Sequence, residues 1–454
     1  MTLRKYFGTD GIRRIANTEL TPDLVFRVAK AGAYILAKHS THTPTILIGR
    51  DTRISGTLIE SAMTAGFLSY GANVKNVGVI PTPGAAYLTR ELNADACVVI
   101  SASHNTFEFN GVKYFSNKGT KISDSIEEEI EEIMDSDKLS SLTAVGKNIG
   151  ISENAEDYTE KYVDFFVDLF KDEFKDLPKD FCIGIDTANG ATYKVAEEVY
   201  TRLGINHKII HNTPDGININ ENCGSTHIEE IAKLVKSEGL SLGVAYDGDG
   251  DRCQAVDENG EVIDGDIMLA ILADFLKSQN KLKNNAIVAT VMSNLGLNKF
   301  AKANNMEYKQ TKVGDRYVLE EMLKAGDNLG GEQSGHIIFL DYNPTGDGIL
   351  TSLMLIKALQ GRKLSEAKKV VQIYPQVLIN AKVLNEKKYD YDKDEEINRE
   401  IKKLEEEFSG NGRVLIRTSG TEPIVRVMIE GENQEYITEK AKEIANLIES
   451  KLGK

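Results

Sequence analysis

An apolar, β-branched run that stops dead at small and polar residues recurs along this chain, and it limits the folds available more than any other feature. Val98-Val-Ile100 breaks into Ser101-Ala-Ser-His-Asn105, and Phe181-Cys-Ile-Gly-Ile-Asp186 breaks into Thr187-Ala-Asn-Gly190 before a helix running through Leu203. Leu240 to Tyr246 delivers a loop of aspartates, and Ala286-Ile-Val-Ala-Thr290 leads to Ser293-Asn-Leu-Gly296, which opens a helix. Such runs read as buried strands that present loops at one sheet edge, and their alternation with helices predicts βαβ units with parallel sheets.

The first pass of this pattern has a helix begun by Thr21-Pro-Asp, a strand over Thr45 to Gly49, a helix over Leu58 to Tyr70 and a strand over Asn73 to Val77, and it ends near the acidic helix Ser125 to Met134. A linker is expected from Asn148 to Asp157. Beyond Ile373 the character changes to a strand (Val377 to Val383), a Lys- and Glu-rich helix (Asp394 to Phe408), two further strands and a last helix from Asn433. At 454 residues the chain exceeds one core. The reading is α/β: three topologically similar α/β domains at 1–150, 158–255 and 256–370, and a C-terminal α+β domain at 373–454.

A hydrophobic fraction of 41% and a charged fraction of 27% are those of a soluble globular protein. No apolar run approaches a membrane span, so a cytoplasmic protein without membrane partners is expected. The net charge of −15 disfavours nucleic acid. Cys97, Cys182, Cys223 and Cys253 are far apart in sequence, which suits reduced thiols better than disulfides or a zinc site.

Asp247-Gly-Asp-Gly-Asp-Arg252 is the sharpest local signal. Alternate carboxylates on a glycine-relaxed loop converge several oxygens on one point, the ligand set that hard cations such as Mg²⁺ demand. Asp247, Asp249, Asp251 and Glu258 also fit EF-hand spacing, but Arg252 stands where that loop needs glycine and the flanks read as strands. Ser103, with His104 beside it and Lys113 a short loop further on, is either a nucleophile or a turn former. Gly330-Gly-Glu-Gln-Ser-Gly-His336 suits either hydrogen bonding to sugar hydroxyls or a plain polar turn. Arg417-Thr-Ser-Gly-Thr-Glu-Pro423, with Arg426 beyond, reads equally as an anion cradle or a strand-joining turn. Lys312-Val-Gly-Asp-Arg316 is a further basic loop, at a strand-to-helix junction. A serine hydrolase elbow is absent around Ser103.

Together, Phe7-Gly-Thr-Asp-Gly-Ile-Arg13, Ser101-Ala-Ser-His-Asn105, the aspartate loop, Gly331-Glu-Gln-Ser-Gly-His336 and Arg417-Thr-Ser-Gly-Thr-Glu-Pro423 resemble the α-D-phosphohexomutase family, in its order and over essentially the whole chain. The resemblance implies four domains around a central cleft, with Ser103 phosphorylated and holding Mg²⁺ together with Asp247, Asp249 and Asp251. It implies Glu332 and Ser334 as sugar contacts. Arg417, Ser419, Gly420, Thr421 and Arg426 would grip the non-reacting phosphate, and His104, Lys113 and Arg13 would assist transfer. Asp215-Gly-Ile-Asn-Ile-Asn220 with Cys223-Gly-Ser-Thr226, and Val291-Met-Ser-Asn-Leu-Gly296, resemble the glucosamine branch. The implied reaction interconverts glucosamine 6-phosphate and glucosamine 1-phosphate through a glucosamine 1,6-bisphosphate, for amino-sugar cell-wall precursors. Phosphomannomutase/phosphoglucomutase activity is the alternative on the same scaffold. Thr106 departs from the family, whose members commonly have proline there, without removing a chemical group.

Overall fold

A computed structural model describes residues 5–8, 10–38, 41–419 and 422–453. It resolves two compact units: Met1–Met292 with Met306–Val370, and Ser293–Asn305 with Val371–Lys454.

The first unit contains three sheets. Strands β1 (Ile12–Ile15), β2 (Thr45–Arg50), β3 (Asn73–Val79), β4 (Ala96–Ile100), β5 (Phe109–Ser116) and β6 (Ser152–Asn154) form one sheet in the order β1-β5-β4-β2-β3-β6. Ile46, Ile48, Val98 and Ile100 face one hydrophobic cluster, while Leu47, Cys97 and Val99 face another. The period-two alternation of a strand therefore points apolar groups to both faces, which is why these runs are continuously hydrophobic. Thr21 caps the helix Pro22–Ala37 by accepting from Leu24 N, with Pro22 in the first turn where no N–H is needed.

Two expectations fail in this sheet. It is mixed, because β5 runs antiparallel to β4 and β1 antiparallel to β5. Lys113 stands on strand β5, paired with Val99, beyond the short loop that carries Ser103. The expected linker at 148–157 holds β6, which pairs in parallel with β3. All three residues of β6 are exposed, so it carries no apolar alternation by which sequence could reveal it.

The second sheet comprises β7 (Ile183–Asp186), β8 (His207–Ile210), β9 (Leu242–Tyr246), β10 (Cys253–Asp257) and β11 (Val262–Ile263), in the order β11-β10-β9-β7-β8. The third has β12 (Ala286–Thr290), β13 (Glu307–Thr311), β14 (Leu329–Gly331) and β15 (Ile337–Phe339), in the order β13-β12-β14-β15.

In the second unit β16 (Gln376–Lys382), β17 (Gly412–Thr418) and β18 (Ile424–Gly431) form an antiparallel sheet with β18 central. The helix Glu395–Phe408 buries Ile397 and Leu404 and keeps its charges outward, the one-stripe pattern of a helix packed on a single face. Helix Leu295–Ala303 belongs to this unit, where Asn294 Nδ2 donates to Tyr374 O at 2.9 Å.

Candidate functional site

Parallel strands deliver their following loops to a common edge. Arg50 at the end of β2 pairs with Ile100 at the end of β4, so Asp51-Thr-Arg53 and Ser101–Asn105 emerge side by side. Arg53 is completely buried against Asp51, with Nε 2.8 Å from Oδ2. Its terminal nitrogens donate to the carbonyls of Ser103 (3.0 Å), Asn105 (2.8 Å), Phe109 (3.0 Å) and Thr106. Asn220 Nδ2, from the second sheet's loops, donates to the same Ser103 and Asn105 carbonyls at 2.8 Å each. Ser101 Oγ donates to Asp51 and accepts from Ser103 N at 2.9 Å. These bonds hold Ser103 at φ 51°, a left-handed conformation that costs a non-glycine residue about 1–3 kcal/mol and persists only where neighbours enforce it.

Held in this way, Ser103 Oγ donates to Asp247 Oδ2 at 2.7 Å and lies 3.3 Å from His104 Nδ1. Asp247, Asp249 and Asp251 are buried, and one carboxylate oxygen from each lies within 4.8 Å of the others. Asp249 Oδ1 and Asp251 Oδ1 are buried without a hydrogen-bond partner. Two orphaned anionic oxygens beside a third carboxylate fit a divalent oxygen-loving cation. Asp247 titrates far above the usual carboxylate range because of burial and then repulsion from Asp251 and Asp249. Asp251 is raised by burial and Asp249. Burial also opposes ionisation of Asp249, but Lys113 Nζ at 2.9 Å and the Thr82 hydroxyl at 2.7 Å outweigh it and lower that group. This loop joins antiparallel strands, Tyr246 opposite Cys253, and Glu258 instead bonds Ser365, so the EF-hand arrangement does not form.

Lys113 is the hub of a wider ionic network. Its Nζ lies 3.1 Å from Asp10 Oδ2, which Arg13 Nη2 also meets at 2.9 Å. Lys121 bridges Asp10 to Asp315, whose Oδ2 is 2.6 Å away. Burial alone would neutralise Lys113, but Asp10, Asp249 and Asp251 reverse this and raise it. Arg13 Nη1 donates to Asn105 Oδ1 at 3.1 Å. His104 is depressed to about 4 by burial, then by Arg252 and Arg13.

The loop between β14 and β15 packs directly on the aspartate loop. Cys253 N donates to Gly335 O at 3.0 Å, and a Cβ on Gly335 (φ +89°) would stand 2.0 Å from Cys253 O. Glu332 Oε1 accepts from Gly314 N at 3.1 Å, in the Lys312–Arg316 loop that does join β13 to the helix Asp315–Ala325. Ser334 Oγ is buried without a partner, and Gly346 N donates to His336 Nε2 at 3.2 Å. Arg252, held charged against burial by Asp247, Asp251 and Glu332, reaches His104 at 3.3 Å. The structure thus brings together Ser103, His104, Lys113, Arg13, the aspartates and the Glu332–Ser334 loop.

In the second unit Arg417 and Arg426 are directly opposed across β17 and β18. Burial and then Arg426 lower Arg417, and Arg426 Nε is buried without a partner. Ser419 O accepts from Lys388 Nζ at 3.2 Å, and its Oγ accepts from Glu422 N at 3.1 Å. Like charges placed face to face favour an anion between them. Gly420 and Thr421 lie outside the described residues.

Sequence reasoning missed Asp51, Arg53, Asn220, Asp10, Thr82 and Lys121 as parts of this site. For Asp51 and Arg53 a signal existed: Arg50-Asp-Thr-Arg53 ends a strand of the same parallel pattern as the serine loop.

Comparison with known proteins bears on what this arrangement is. Phosphoglucomutase/phosphomannomutase alpha/beta/alpha domains I, II and III match residues 4–141, 157–260 and 264–376, and the C-terminal domain of that family matches 378–447. The phosphoglucosamine mutase of Ruminiclostridium cellulolyticum is 52% identical over 455 residues, covering 99% of this chain and 100% of its own. The chain belongs to the phosphoglucosamine mutase family. It is a phosphohexomutase, an isomerase, and the relatives' name favours the glucosamine branch over the phosphomannomutase alternative. The fold agrees with that of a phosphoglucomutase/phosphomannomutase family protein from Burkholderia thailandensis (TM-score 0.80, 21% identity, 99% of this chain and 98% of that one). It also agrees with Aspergillus fumigatus N-acetylphosphoglucosamine mutase, solved in complex with GlcNAc-6P and magnesium (TM-score 0.63, 18% identity, 98% and 95% covered).

Proposed function

We propose that this family member interconverts glucosamine 6-phosphate and glucosamine 1-phosphate, with Ser103 as the phosphoryl carrier. The observation that carries the reading is the Ser103 hydroxyl, fixed 2.7 Å from a buried aspartate trio with two orphaned oxygens. The names of the relatives support the substrate, and the phosphosugar and magnesium in the Aspergillus complex support its class and the cation.

In the proposed cycle the bond from phosphorus to Ser103 Oγ breaks as one forms to O1 of glucosamine 6-phosphate, and the O1 hydroxyl proton passes in net to Ser103 Oγ. The resulting glucosamine 1,6-bisphosphate turns over. Ser103 Oγ then takes the phosphoryl from O6, which is protonated and leaves as the hydroxyl of glucosamine 1-phosphate. A serine is a poor nucleophile and a poor leaving group, so positioning and charge must supply the catalysis. Bound to Asp247, Asp249, Asp251 and the Ser103 phosphate, Mg²⁺ would neutralise charge on the phosphoryl oxygens. Arg53 and Asn220 fix the Ser103 backbone, Lys113 balances Asp249, and Arg13 and His104 border the transferring group. Glu332 and Ser334 hold the sugar hydroxyls or amine. Arg417, Ser419 and Arg426, with Gly420 and Thr421, take the other phosphate. The division of labour follows domains at 1–150, 158–255, 256–370 and 373–454. Reduced thiols, all four cysteines being free, support a cytoplasmic setting, and no described helix is long and apolar enough to cross a membrane.

Peptide mapping for phosphate on Ser103, with turnover of glucosamine, mannose and glucose phosphates measured side by side, tests the proposal. Phosphate on Ser103 and preference for the glucosamine phosphates are expected; near-native activity of Ser103→Ala, or preference for mannose 1-phosphate, would overturn it.

A further inference from the structure

A second cluster of unlike donors lies in the second sheet, outside the proposed chemistry. Asp186 closes β7, His211 follows β8, and Cys223 lies on the loop that follows. One ligand atom from each falls within 4.8 Å of the others. His211 Nδ1 is buried and pairs with Asp186 Oδ2 at 3.1 Å, a contact that raises the imidazole above its usual range. Cys223 is completely buried, and although it is far from the other cysteines in sequence the fold sets it beside a histidine and an aspartate.

The surroundings hold these donors in place. Asp186 Oδ1 accepts from Ala188 N at 2.8 Å and Oδ2 from Gly224 N at 2.9 Å, the outer hydrogen bonds that orient a ligating carboxylate. The His211 carbonyl accepts from Thr187 Oγ1 and Asn189 N, both at 2.6 Å, which pins the ring's backbone. The His211 side chain keeps 30% of its surface exposed, while its Nδ1, Asp186 and Cys223 are buried.

We propose that Asp186, His211 and Cys223 form a binding site for a divalent transition metal of the zinc class, separate from the aspartate trio. The donor set decides the class: an imidazole and a thiolate prefer zinc-like ions, whereas the all-oxygen trio prefers magnesium. Three protein ligands, completed by one water, would make a four-coordinate site. Without metal, burial and the Asp186 carboxylate push the Cys223 thiol up to about 12. On binding, the sulfur–metal bond forms as the thiol proton leaves for solvent, since a coordinated thiol is deprotonated. The site also has a mechanical reach. Asn220, on the same loop as Cys223, holds the Ser103 carbonyl, so a metal here would stiffen the support of the serine loop.

Cobalt(II) titration of the full-length protein in excess Mg²⁺ tests this, because only a thiolate ligand gives a cysteinate-to-cobalt charge-transfer band. One equivalent of cobalt with that band is expected, displaced by Zn²⁺, together with loss of the band in Cys223→Ala. His211→Asn, which tolerates the left-handed backbone at φ 50°, should weaken binding by at least about tenfold. Absence of the band in the wild type, or its persistence in Cys223→Ala, overturns the site. Should Cys223→Ala not fold, an undiminished affinity in His211→Asn overturns it equally.

Discussion

Arg53 and Arg417 carry the same guanidinium, and the protein uses them in opposite ways. Arg53 is sealed from solvent, and its nitrogens bond Asp51 and the carbonyls of residues 103, 105, 106 and 109. Arg417 is half-buried, faces Arg426 across the sheet and is electrostatically disfavoured there. The first arginine spends its donors on holding protein, and the second faces a like charge, as befits the phosphate grip proposed for it. Positioning residues can therefore be told from recognition residues by whether their hydrogen-bonding capacity is already used.

The largest separation should come from the chemistry that Arg53 supports. Asp249→Asn should lower kcat by about 10²–10³-fold or more, with a smaller change in KM, measured at saturating Mg²⁺. EDTA-treated enzyme should be inactive and regain turnover when Mg²⁺ is restored. A metal-independent residual rate near wild type would remove the trio from the mechanism.

Arg53→Ala should cost about 3–5 kcal/mol in urea unfolding, since it strands the buried Asp51 and several carbonyls. If stability changed by less than about 1 kcal/mol, the clamp would not be the support described above.

Asp347 extends the comparison to a buried acid. It accepts from Tyr162 Oη at 2.7 Å, Asn343 Nδ2 at 3.2 Å and Leu350 N at 3.0 Å, yet burial lifts it to about 6. A carboxyl raised in the folded state keeps its full contribution at low pH and loses it as the unfolded chain ionises. Stability should therefore fall by roughly 2 kcal/mol from about pH 4 to about pH 6 on this group's account. Urea titrations should show that part of the slope missing in Asp347→Asn.

The smallest effect should be that of Arg417→Ala. Turnover should need about tenfold more substrate at half-saturation, with urea stability unchanged or slightly higher because a like-charge neighbour is gone. Marked destabilisation would make Arg417 a structural residue like Arg53.

The groups proposed to do the chemistry sit in short consecutive runs, and sequence singled those runs out. Asp247 to Asp251 announce themselves within a few residues, Ser103 with His104 and Glu332 to Ser334 stand out only once the motifs are taken together as a family pattern, and the three α/β domains and the C-terminal α+β domain follow from the strand–helix alternation. The supports were harder to read, because Arg53 and Asn220 meet Ser103 across 50 and 117 residues, and only the strand-end run Arg50-Asp-Thr-Arg53 carried a signal. Nor does Asn110-Gly111 look like strand interior. Gly111 is needed there because a Cβ would stand 2.5 Å from Ser101 O, so the close approach of β5 to the serine loop erased its own β signature.

The contact between Gly335 and Cys253 has a consequence for altering the enzyme's taste in sugars. At Gly335 and Cys253 the loop proposed to read the sugar and the strand leaving the aspartates touch backbone to backbone, with no side chain at that point to absorb a change. Enlarging or lengthening residues 332–336 to admit a different sugar is transmitted to Cys253 and, two residues back, to Asp251. Variants selected for a new substrate should arrive with altered magnesium requirements, and compensating changes should fall between Tyr246 and Cys253.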